Sequence, residues 1–199
     1  MQGNWKLTYI AVGLSMGWFI GVFLLNGFDE LSVRSNIRWS ARFSVICFCL
    51  AFGASAFHRL AQNSVSTWLL KNRKYLGISF AIIHLIHLLF LALLHYYFHQ
   101  VFVERSIIEL ALGGLAYVFI LLMLLTSFNP IKKLMSQSTW TILHTLGGYW
   151  ILIVFSNSII GRVVSGKYAY LPLAILLISV FLLRLFALFK KRNSKRTIL

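Results

Sequence analysis

The segment HLIHLLFLALLHYYFH, residues 84–99, carries four of the chain's six histidines in otherwise apolar sequence. A neutral imidazole can ligate a metal, relay a proton or hydrogen-bond to a neighbouring helix. On a helix, His87 lies about −60° from His84, His95 about +20° and His99 about +60°, so one face spanning roughly 22 Å holds all four. In a lipid-spanning helix such a face looks into the bundle. His84 and His87 sit roughly 14 and 18 Å from the inner end of their run by helix rise. Haem or metal ligation, proton relay and interhelical hydrogen bonding are all open to them. His95 and His99 lie at the outer end beside Tyr96 and Tyr97, where interfacial anchoring competes with ligation.

A partner for this face occurs in STWTILHTLGGYW, which carries His144 with Gly147 and Gly148 one turn on. Histidines on facing helices can fill both axial positions of a haem iron, and small residues admit a flat ring. The same glycines also suit close helix packing. His58, followed by Arg59, closes the second apolar run as an interfacial residue. Arg34, Arg38 and Arg42 recur at i,i+4 and share a face if the helix extends to them. They suit a haem propionate or an anionic lipid headgroup. Cys47 and Cys49 point to opposite helix faces, which excludes a disulfide between them. The chain has no GxGxxG, phosphate loop, CxxC or paired intramembrane carboxylates. Asp29, Glu30, Glu104 and Glu109 all fall at predicted outer ends.

The elements that position these residues follow from composition. Hydrophobic residues make up 59% of the 199 positions and charged ones 12%, with a mean hydropathy of +0.81. A soluble domain of this length cannot bury so much apolar surface, so the expected solvent is lipid. Six runs approach the roughly 20 residues needed to cross a bilayer: 7–28, 43–61, 75–98, 107–128, 140–160 and 170–189. None shows barrel-type alternation, so the expected fold is all-α, a single polytopic six-helix membrane domain. The second run is the shortest and contains small polar residues, which places it inside the bundle. The first run is long for a signal-peptide core and reads as a retained span.

The formal charge is +15, but the basic residues flank apolar runs, as in membrane proteins, and form no stripe for nucleic acid. With the N-terminus inside, twelve Lys and Arg fall on the inner side and six on the outer, which puts both termini in the cytoplasm. The tail KKRNSKR reads as an anchor near anionic lipid.

NRKYLGISFAIIHLIHLL resembles the basic-LG-His pattern that opens the third span of ferric reductase-like transmembrane proteins. STWTILHTLGGYWIL resembles their W-x-x-LH segment in span five, and SARFSVICFCLAFGASAFHR their second span, with Arg42 and Arg59 at its ends. By size and layout the chain is most similar to the haem-binding membrane subunits of bacterial methionine sulfoxide reductase systems. The similarity covers roughly residues 40–160. It implies a bundle carrying b-type haem in a bacterial inner membrane, with His87 and His144 as axial ligands, Trp140 as the aromatic residue beside the second, and Arg42 near the cofactor. His84 is an alternative ligand to His87. The family's second span-five histidine is replaced by Asn157, the Gly before the span-two Arg by Ala41, and the Pro near the end of that span by Ala56 or a neighbour. One haem, between His144 and His87 or His84, is therefore expected rather than two. A second would fall to His95 and His99.

With no flavin or nicotinamide domain of its own, such a subunit takes electrons from a separate dehydrogenase, a bound flavin or the quinol pool. It passes them to a periplasmic acceptor or to ferric iron. Two other classes compete: a haem-free scaffold or assembly partner whose histidines bond between helices, and a proton or metal translocator using the histidine face.

Overall fold

The computed structural model describes residues 4–99 and 107–196, with side chains through residue 190. Glu104 and Arg105, and the side chains of Lys191, Arg192, Lys195 and Arg196, lie outside the described residues. The described residues form helices α1 (Trp5–Asn26), α2 (Glu30–Leu60), α3 (Ser64–Tyr96), α4 (Ile107–Leu125), α5 (Asn129–Lys132), α6 (Gln137–Val164) and α7 (Leu171–Arg196), with a 3-10 turn at Tyr168–Tyr170. No strand occurs among them. All helices but the four-residue α5 are long and apolar enough to cross a membrane. The outer surface is what lipid requires: Leu14 is 72% exposed, Ile153 62% and Phe186 61%. The chain is a multi-pass helical membrane protein. Its upper face carries loops 27–29 and 165–167, and its lower face loops 61–63 and 126–136.

Helices overrun the apolar runs because hydropathy detects only the part in lipid, whereas caps set the ends. The largest difference is at α2, which begins at Glu30 rather than near residue 43. Asp29 caps it by accepting the Ser32 N–H at 2.7 Å, and Arg34 pairs with Glu30 one turn in, at 2.6 Å. Arg34, Arg38 and Arg42 are therefore helical. Half of the most apolar stretch of α2 is buried, the largest share of any spanning helix, with α3 against it as its most extensive neighbour. Its small residues permit this.

The α2–α3 turn is held by a capping box in which Asn63 accepts the Ser66 N–H at 2.8 Å and Ser66 Oγ accepts the Asn63 N–H at 3.1 Å. His58 joins the same hydroxyl at 3.1 Å, tying the end of α2 to the start of α3. Replacing Asn63 with Ala is expected to destabilise the fold by about 1 kcal/mol, read as a lower detergent-unfolding midpoint. An unchanged midpoint would show that His58 alone secures the turn. α3 ends at Tyr96, so His99 leaves the helix face on which sequence placed it. It is exposed, with a left-handed φ of 50°.

Candidate functional site: the histidines of α3 and α6 and their hydroxyl partners

α2 and α3 run antiparallel, and two hydroxyls of α2 meet two imidazoles of α3. Ser40 Oγ is 3.0 Å from His87 Nδ1, and Ser44 Oγ is 3.0 Å from His84 Nδ1. His87 Nδ1 is also 3.0 Å from the Ile37 carbonyl. A carbonyl only accepts, so Nδ1 of His87 carries the proton and Nε2 the lone pair. The Ser44 hydroxyl donates to the Ala41 carbonyl at 2.9 Å, so it accepts from His84 Nδ1–H and sets the same tautomer there. This is the arrangement of a ligating histidine, whose second ring nitrogen is held by a carbonyl or hydroxyl.

The two rings stack at 5.1 Å, and His84 also stacks on Tyr117 of α4 at 5.1 Å. Phe155 of α6 stands edge-on to His84 at 5.2 Å. His84 is buried and His87 half-buried. Gly113 lies one turn above Tyr117 on the same face of α4, at the depth of His87. A Cβ built there meets nothing within 4 Å. The half-buried His87 imidazole thus has the tautomer that suits ligation through Nε2. A histidine held in this way could ligate a haem or metal ion, and it equally suits a fastening between helices.

His144 is not brought to this pair. It stacks on Trp140 at 4.2 Å and lies 3.0 Å from Thr126 Oγ1 through Nε2. The Thr126 hydroxyl donates to the Leu122 carbonyl at 2.7 Å, so His144 donates from Nε2, the tautomer opposite to that of His84 and His87. Trp140 Nε1 donates to the Thr126 carbonyl at 3.1 Å, and Lys132 sits over the Trp140 ring at 4.6 Å. Phe155, which touches His84, lies about 16 Å along α6 from His144, and Tyr117 about 13 Å along α4 from Thr126. No single iron reaches both levels. In this geometry the W-x-x-LH segment fastens α6 to the last turn of α4. Thr126→Val is expected to weaken that seam by ~0.6 kcal/mol, the usual size for a hydrogen bond between membrane helices. A detergent-unfolding midpoint that does not move would contradict this fastening.

The remaining sequence-derived residues separate. Gly147 and Gly148 receive neighbours rather than a ring: a Cβ at Gly147 would lie 2.6 Å from Met123 Sδ, and one at Gly148 would collide with Phe52. Asn157 is exposed on α6 and does not face the histidines. His95 is half-buried and packs edge-on to Tyr96 at 5.0 Å. The Arg42 guanidinium lies over Trp39 at 4.6 Å and Tyr170 at 4.9 Å, and its place on α2 falls between Ser40 and Ser44. Among the described residues no group of three or more His, Cys, Asp or Glu gathers to hold a metal ion.

Two features escaped sequence reasoning. Arg184 of α7 donates to the Phe52 carbonyl at 2.7 Å and to Tyr149 Oη at 3.2 Å, and lies over the Phe52 ring at 3.8 Å. Its signal was present, a lone Arg inside an apolar run. The hydroxyls of Ser40 and Ser44 were legible as an i,i+4 pair in the most polar span. No family model matches the chain, and no curated protein is significantly similar to it.

Proposed function

We propose that the protein is a b-type haem electron-transfer subunit of ferric reductase-like type, seated in a bacterial inner membrane with both termini cytoplasmic. The observation that carries the reading is the His87 Nδ1–H bond to the Ile37 carbonyl at 3.0 Å, which puts the lone pair of the ring on Nε2. The motif resemblance around Gly77 and His87 supports it independently. His87 would hold the haem, and Ser40 with Ile37 would orient it. Tyr117 and Phe155, packed on His84, keep the neighbourhood apolar. Haem supplies a one-electron change at iron. The chain supplies the ligand, its orientation and exclusion of water.

The geometry supports His87 over His144 as the ligand. Electrons would arrive from a separate dehydrogenase, a flavin or quinol, and leave to an acceptor on the periplasmic side. Proteoliposomes with trapped ferricyanide test this. External reduced quinol should bleach the ferricyanide several-fold faster with the protein than without it. Equal rates would sink the electron-transfer role.

The haem-free scaffold is the second reading. It is favoured because His58, His84 and His87 each bond a hydroxyl on a neighbouring helix, and His144 one in the turn that follows α4.

A further inference from the structure

α2 carries Ser32, Asn36, Ser40 and Ser44 at successive four-residue steps, a polar stripe about 18 Å long by helix rise. All four residues are at most 2% exposed. Its upper end lies in the first turn of α2, beside the exposed loop 27–29. Its lower end is the Ser40–His87 and Ser44–His84 pairs. α1 covers it: Asn36 Nδ2 donates to the Phe19 carbonyl at 3.2 Å, and Phe19 is 1% exposed.

That bond fixes the orientation of the Asn36 amide and leaves Oδ1 as its acceptor. Asn36 Oδ1 is fully buried and has no hydrogen-bond partner, and neither has Ser32 Oγ. Two orphaned polar atoms one turn apart, in a protein whose buried helices face lipid, are costly unless something bonds them. Lipid tails cannot. Water can, since it donates to both acceptors; one turn below, the Ser40 hydroxyl donates to the Ile37 carbonyl at 3.1 Å and meets His87. Below His84 the stripe stops at phenylalanines. Phe48 lies 5.3 Å from Phe80 and 5.5 Å from Phe155, and both of the latter touch His84 at 5.8 and 5.2 Å.

We propose that the α1–α2–α3 seam from Ser32 to Ser44 holds a chain of internal water, open to the upper aqueous phase and closed below by Phe48, Phe80 and Phe155. Hydroxyls, water and imidazole pass protons by rearranging hydrogen bonds. The seam thus gives the histidine pair proton contact with one side of the membrane only. This inference stands whether or not the chain binds haem.

Radiolytic hydroxyl labelling of the full chain in nanodiscs tests it. Irradiated bound water marks the side chains around it, and mass spectrometry locates the mark. Phe19, buried from bulk solvent, should label well above Phe48, an equally buried residue on the closed side. In Asn36→Leu, or Asn36→Val if the first variant does not fold, the Phe19 label should fall several-fold to the Phe48 level. Wild-type labelling of Phe19 at the Phe48 level would overturn the proposal. So would full labelling that persists in the folded variant.

Discussion

His87→Ala is expected to lower bound haem per chain at least about tenfold, the scale on which metal-site residues act. His144→Ala is expected to leave most of it in place. His87 has its Nδ1 proton committed to the Ile37 carbonyl and Ser40. It is half-buried. His144 instead donates from Nε2 to Thr126 and would have to break that bond to ligate through the same atom. Ser40→Ala should have a smaller effect than His87→Ala, because the Ile37 carbonyl still fixes the tautomer. The check is haem quantified against protein in the three variants purified side by side. Loss of haem in His144→Ala with retention in His87→Ala would reverse the assignment.

The second large effect is structural. Gly148→Ala is expected to destabilise the bundle by about 1–3 kcal/mol, as overpacking does, and Gly147→Ala by less. A Cβ at Gly148 drives into the Phe52 ring, and that ring is hemmed in. It stacks on Phe48 at 5.2 Å, meets Tyr149 edge-on at 5.3 Å, and lies under Arg184. At Gly147 the first obstacle is the Met123 sulfur, part of an unbranched chain that turns aside at small cost. The detergent-unfolding midpoints of the two variants should therefore rank Gly148→Ala below Gly147→Ala. Equal midpoints would show that Phe52 moves freely, which the Arg184 contacts do not permit.

Much of the architecture was legible in the sequence because lipid leaves few solutions. Six apolar runs become six spanning helices, and the depth of His84 and His87 follows from counting residues. Helix ends were not legible, since they depend on single caps. Asp29 moved the start of α2 by more than three turns, and the end of α3 at Tyr96 removed His99 from the histidine face. The pairing of histidines was not legible either. Spacing gave His144 a depth from its own helix end, but not the level of the facing helix. The contacts at Thr126 and Phe155 reveal the offset. The tautomers lay further out of reach, because they depend on hydroxyl and carbonyl acceptors on a neighbouring element. Asn157 illustrates the same gap: its position along α6 was evident, but not that it faces outward.

The most direct test of the account is the optical spectrum of the purified full chain, expressed with ample haem, oxidised and then reduced with dithionite, with haem counted per chain. About one b-type haem per chain is expected, with a reduced b-type spectrum that is lost in His87→Ala. A colourless protein that keeps its fold after haem supplementation would contradict it, and would leave Ser40–His87, Ser44–His84 and Thr126–His144 as fastenings between helices.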